Sequence, residues 1–220
     1  MNFPSRCLLT LAYAWSAVAL GASGGDISKV IGSVRVEAGH TARDVSTVNG
    51  SVTIGAAATA QEVETVNGSV RIEDRAVVES AETVNGDVTI GDTAEVRDDV
   101  ETVNGDITLR SGARVGGSVV NVNGDMLIEG ATVDGGLETV NADIRLTSGA
   151  RVSGGIRIEK NNGHGRSWFN REETNPRITV ERGAVVEGPL LFEREVDLYV
   201  APGVTLPAVK GVPPQRYTLQ

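Results

Sequence analysis

The 220-residue chain has a single cysteine, Cys7, few aromatics (4%) and only three lysines, Lys29, Lys160 and Lys210. Each shortage removes a class of function. One thiol cannot close an internal disulfide. Scarce aromatics leave few platforms on which unpaired bases could stack. The balance of 20 basic against 29 acidic residues, a formal net charge of −9, repels a phosphate backbone, and no basic run interleaves with aromatics. Nucleic acid is therefore excluded as a partner.

Long apolar runs are also lacking, with one exception near the start. Arg6 precedes an uncharged apolar run from Leu8 to Leu20, and Gly21, Ala22 and Ser23 follow it. A membrane-spanning helix needs about 20 such residues, and this run is shorter. Its layout is that of a secretory signal peptide, which we place at 1–24. Cys7 lies before the run, whereas the acylated cysteine of a lipoprotein would end it. Cleavage then leaves an exported chain with no cysteine and no membrane span. Disulfides and thiolate metal sites are excluded from it, so its fold must rest on its core and its backbone hydrogen bonds.

What is present in abundance is a repeat. Val48-Asn49-Gly50, Val66-Asn67-Gly68, Val84-Asn85-Gly86, Val103-Asn104-Gly105 and Val122-Asn123-Gly124 are followed by Val140-Asn141-Ala142. The spacings are 18, 18, 19, 19 and 18 residues, the signature of stacked units. A degenerate copy, Ile31-Gly32-Ser33-Val34, lies one period earlier.

Superposed, the repeats give apolar columns. One reads Val52, Val70, Val88, Ile107, Met126, Ile144, and two residues on it reads Ile54, Ile72, Ile90, Leu109, Ile128, Leu146. A spacing of two is one face of a strand. A second pair begins with Ala58, Ala76, Ala94, Ala113, Ala131, Ala150 and continues with Ala60, Val78, Val96, Val115, Val133, Val152. The third side reads Val45, Val63, Ala81, Val100, Val119, Leu137, then Val48, Val66, Val84, Val103, Val122, Val140. Those two columns are three apart, so a bulge is expected on that side.

Three short sides per turn predict an all-β fold, a single-domain parallel β-helix in the form of a triangular solenoid over 25–206. One coil cannot bury its own face, so coils must stack, at about 4.8 Å each. About eight coils would make a rod about 40 Å long. Pro202, Pro207, Pro213 and Pro214 cannot donate to a ladder, which predicts that stacking stops and that 207–220 is a tail. No such blocker follows the signal peptide. The N-terminal coil, Ile31 to Ala42, is thus the open edge and the place for self-association.

Four polar features bear on function. The asparagine column is what a corner turning through positive φ requires, and Asn49-Gly50-Ser51 and Asn67-Gly68-Ser69 also match a glycosylation acceptor. Asp87, Asp106, Asp125 and Asp143 form an acidic column and are the candidate metal ligands. Neighbouring charges at this spacing cost only about 0.8 kcal/mol in water, so the column needs no cation. Thr47, Thr65, Thr83, Thr102 and Thr139, interrupted by Asn121, read as an outward hydroxyl column. Finally, an insertion at 159–176 breaks the repeat at the Asn-Gly corner. It carries His164, Arg166, Trp168, Phe169 and Arg171, the candidate binding residues, whose aromatics either fold back over a sheet face or take a ligand. His164 has no nucleophile or orienting carboxylate placed beside it, so no catalytic residue and no cofactor is assigned. His40 stands at the alanine column's place in the first coil, an end-coil substitution.

Ser111-Gly112-Ala113-Arg114-Val115-Gly116-Gly117-Ser118-Val119, Ser148-Gly149-Ala150-Arg151-Val152-Ser153-Gly154-Gly155-Ile156 and Arg182-Gly183-Ala184-Val185-Val186-Glu187-Gly188 resemble the bactofilins, polymer-forming bacterial cytoskeletal proteins. Thr83 to Ile90, Thr-Val-Asn-Gly-Asp-Val-Thr-Ile, is similar to the β-strand repeats of bacterial adhesin-type domains. The bactofilin resemblance implies a right-handed solenoid that self-associates through its coil ends. The signal peptide and the insertion depart from a cytosolic bactofilin. The expected function is an exported structural or adhesive β-solenoid, periplasmic or at the cell surface. The alternative is a solenoid that binds or processes cell-envelope polysaccharide with the insertion. An 18-residue coil is also that of hexapeptide acyltransferases, against which export and the unsupported histidine both count.

Overall fold

A computed structural model describes residues 24–147, 149–160 and 175–219. These residues form three parallel sheets wound around one core, with ten, ten and six strands, and no helix occurs among them. The chain visits the sheets in turn. In the first coil β1, Ile27–Ile31, lies on the first side and β2, Val34–Val36, on the second, and the third side is a single bridge at Thr41. Every strand pairs in parallel with its counterpart one coil away. This is the expected triangular solenoid, in about ten coils.

The coil count corrects the expected eight, and the C-terminus supplies one of the added coils. Residues 207–220 were expected as a proline-stopped tail, yet Val209–Gly211 pairs with Leu190–Phe192 and Gln215–Thr218 pairs with Asp197–Val200. Pro207, Pro213 and Pro214 stand just before these strands, at corners where no ladder donor is needed. The third sheet does end early, at Val185–Val186. The last coils lack the Val-Asn-Gly phrase, so their repeat was not legible.

The core is the continuous stack of inward columns. Val52, Ile54, Val63, Val70, Ile72, Val88 and Ile90 are wholly buried, as is the alanine column from Ala58 to Ala150. Narrow alanine positions let the third side approach the axis, while the second side supplies the larger Ile and Leu. Packing of this kind is worth about 1.5–3 kcal/mol for each fully buried aliphatic side chain.

On the first side the expected columns need correction. Val45 and Thr47 face inward and Val48 is part-exposed, as strand alternation requires up to that residue, and each pairing then skips the valine and resumes at the exposed asparagine. The threonine column is therefore buried. A hydroxyl is tolerable there because each one has a partner: Thr47, Thr65, Thr83 and Thr102 donate through Oγ1 to the carbonyls of Gly32, Gly50, Gly68 and Gly86, at 2.8–3.0 Å. Asn121, the one interruption, donates through Nδ2 to Gly105 O at 2.9 Å and so keeps the ladder.

Positive φ explains the Asn-Gly corner in only some coils: Gly32, Gly105 and Gly124 have φ of 103°, 155° and 120°, whereas Gly50, Gly68 and Gly86 lie outside the left-handed region. A Cβ there would meet the carbonyl oxygen of the glycine one coil below at 2.4, 2.0 and 2.1 Å. Close stacking demands glycine. The corner where non-glycine residues take positive φ is the next one, between the second and third sides, where Ala57, Arg75 and Thr93 have φ of 56°, 60° and 55° and Gly39 and Gly112 stand in other coils.

Candidate functional site

The insertion's candidate residues, His164, Arg166, Trp168, Phe169 and Arg171, lie outside the described residues, as does the signal segment up to Ser23. The insertion's base is described. The chain leaves the first side after Ile156–Ile158 and returns on the second at Arg177–Val180, in place of an Asn-Gly corner. Asn175 Nδ2 donates to Asp197 Oδ1 at 3.5 Å, and the Arg177 N–H donates to Asp143 Oδ1 at 2.7 Å.

That last bond belongs to the acidic column. Asp87 Oδ1 accepts the Asp106 N–H at 2.9 Å, and Asp106 Oδ1 accepts the Asp125 N–H at 2.8 Å. In earlier coils serine does the same work, with Ser51 Oγ accepting from Ser69 and Ser69 Oγ from Asp87, each at 3.3 Å. The column satisfies corner N–H groups that the sheets do not reach. Burial, then Asp143 and Asp106, raises the Asp125 pKa. Among the described residues no three His, Cys, Asp or Glu side chains converge as a metal site would require.

The asparagines form a second ladder. Asn67, Asn85, Asn104, Asn123 and Asn141 each donate through Nδ2 to Oδ1 of the asparagine below, at 3.0–3.2 Å. Arg194 Nη1 closes its upper end on Asn141 Oδ1 at 2.9 Å. His40 is exposed, with Nδ1 3.1 Å from Ala38 O, and stands outside the core.

One surface escaped sequence reading, and a second, the expected N-terminal edge, begins a strand earlier. Because Val48 and its successors turn outward, the first side carries a stripe of part-exposed valines, Val66, Val84, Val103 and Val122, beside stacked Glu64, Glu82 and Glu101. Val84, Val103 and Val122, with Glu82 and Glu101, line a groove that ends at Val140 and Glu159. Burial first, then Glu101, Glu64, Glu62 and Asp99, pushes the Glu82 pKa up to about 7. Burial and then Glu62 and Asp44 raise that of Glu64. The signal was present, since Glu64, Glu82 and Glu101 recur one per repeat, but it was masked by assigning the valines to the core.

The second surface is the N-terminal edge, which starts earlier than expected. β1 pairs only with Val45–Asn49, so its other side is an unpaired strand edge among the described residues. Val30 is 62% and Ile31 81% exposed on it. Ile31 takes the asparagine position and Lys29 the threonine position of their columns. Nζ of Lys29 turns out to Ser33 O at 2.9 Å.

These features define a class by architecture: a parallel β-solenoid whose polar columns hold one coil to the next. Among the described residues no helix is long and apolar enough to cross a membrane. Comparison with protein-family models, curated proteins and solved structures finds no match to this chain.

Proposed function

We propose that this chain is an exported structural rod of bacterial, bactofilin-like or adhesin-like type, which associates with a second copy through its N-terminal coil edge. One observation carries the proposal: the most exposed large hydrophobics of the described chain, Ile31 and Val30, sit together on a strand whose outer edge no described residue pairs. An unpaired edge bearing apolar side chains is a template for another strand. Supporting it, the polar columns are consumed in holding the stack, which leaves them little to offer a ligand. The Ser111 to Val119 and Thr83 to Ile90 phrases agree with the same class.

The test is light scattering after size exclusion over a wide concentration range, on the protein recovered from an export-competent host. Wild type is expected to associate as concentration rises. Val30→Lys with Ile31→Lys adds edge charges at exposed positions and is expected to hold the protein monomeric with an unchanged thermal melt. A wild type that stays monomeric throughout, or a double variant that associates equally well, overturns the proposal.

A further inference from the structure

The two ends of the prism are chemically unlike. At the start the inward columns begin with Ile27, Lys29, Val34, Val36 and Ala42, the last three buried and Lys29 turned out to solvent. At the finish the first four of these columns end in Val209, Gly211, Arg216 and Thr218, placed over Leu190, Phe192, Leu198 and Val200. Gly211, Arg216 and Thr218 are all exposed. The apolar stack thus terminates in a glycine, a cation and a hydroxyl.

We infer that association of this protein closes at a two-fold dimer of N-terminal edges and does not propagate, because the C-terminal coil is a polar cap. The inference rests on β1 being the associating edge. Consider the alternative, a second copy stacked in continuation on the C-terminal end. Its Val34 and Val36 columns would fall over Arg216 and Thr218, with Arg35 beside Tyr217. No carboxylate lies in the incoming strand, since Glu37 and Asp26 of the first coil are each already paired, with Arg35 at 3.6 Å and Arg43 at 3.0 Å. Covering an unpaired guanidinium costs several kcal/mol. Head-to-tail growth is therefore blocked.

Two N-terminal edges meet no such obstacle. The same patch faces itself, Val30 and Ile31 cover their counterparts, and an isologous contact of this kind is closed once two copies are joined. Lys29 is the one column cation at this end, and it already lies in solvent.

Sedimentation velocity across concentration tests the stoichiometry, and a single cysteine tests the geometry. Wild type is expected to show monomer and dimer only. Ile31→Cys in a Cys7→Ser background is expected to give a disulfide-linked dimer on oxidation, since residue 31 meets itself only across N-terminal edges. Arg216→Leu with Thr218→Val is expected to open the second end and yield species larger than a dimer, a circular dichroism melt confirming its fold. Wild-type filaments, or a dimer in which Ile31→Cys forms no disulfide, overturn closure while leaving end association standing. A monomer at every concentration overturns both.

Discussion

A methyl group on Gly68 would lie 2.0 Å from the Gly50 carbonyl oxygen, backbone against backbone, with Gly50 itself packed in the same way on Gly32. The whole corner would have to shift, so Gly68→Ala is expected to destabilise the fold by about 3 kcal/mol, the upper range for overpacking. Thr93 presents the opposite case. It is a β-branched residue held at φ of 55°, where left-handed backbone strains any side chain. Thr93→Gly is expected to stabilise by about 1 kcal/mol. Urea midpoints at constant slope check both, and equal effects of like sign would refute the distinction between the two corners. Glu82 adds a pH dependence. Its folded pKa, about 7, lies above the ordinary 4.5, so stability is full below pH 4.5 and is lost as pH rises through 7. Glu82→Gln should therefore leave stability unchanged at pH 4 and raise it at pH 8. Solvent screening of this half-exposed group reduces the gain to about 1 kcal/mol. Thermal melts at the two pH values check it.

Between coils, the stabilising element is a ladder shared by a hydroxyl and a glycine carbonyl, and it explains what sequence reading did and did not reach. Columns of Val, Ile and Ala were legible because burial selects for them directly, and Val52, Ile54 and Ala58 lie where the pattern put them. Thr83 and Val84 were exchanged, because hydrophobicity alone prefers valine inside. Strict alternation decided otherwise, once Thr83 Oγ1 could reach Gly68 O at 2.9 Å. Only the adjoining coil supplies that acceptor, and no single repeat displays it. The Glu64, Glu82 and Glu101 stripe stayed hidden behind that same exchange, the last coil lacks the Val-Asn-Gly phrase, and His164 and Trp168 fall outside the described residues. Thr83→Val should remove the hydroxyl and leave a buried carbonyl short of a donor, a loss of about 1–2 kcal/mol. Asn121 is the mirror experiment, since its Oδ1 is buried without a partner. Asn121→Thr restores the column residue, removes that orphan and is expected to gain about 1 kcal/mol. Chemical denaturation of the two variants separates the ideas: a neutral Thr83→Val would show the ladder to be dispensable.

For the whole molecule, the regularity of the columns makes the rod modular in units of one coil. Each coil contacts only its neighbours, so stability is close to a sum of coil and interface contributions. Excision of 68–85 joins Asn67 to Gly86 and leaves every column continuous: Val70 is replaced by Val88, Ile72 by Ile90 and Ala76 by Ala94, in the same register. The shortened protein is expected to fold, with the far-ultraviolet signal per residue unchanged and the urea slope about a tenth lower, as one coil's surface is lost. A single alanine inserted between Thr89 and Ile90 changes far less sequence but strikes the register. The new residue takes the inward slot and Ile90, wholly buried in the native fold, is expelled to the outer face. That loss resembles an Ile→Ala truncation and should exceed about 3 kcal/mol. The chain's own additional residue in this region lies between Val96 and Val100, at a corner, where the columns on either side keep their places. A shortened protein less stable than the one-residue insertion would show that folding depends on a specific central coil rather than on the count of stacked interfaces.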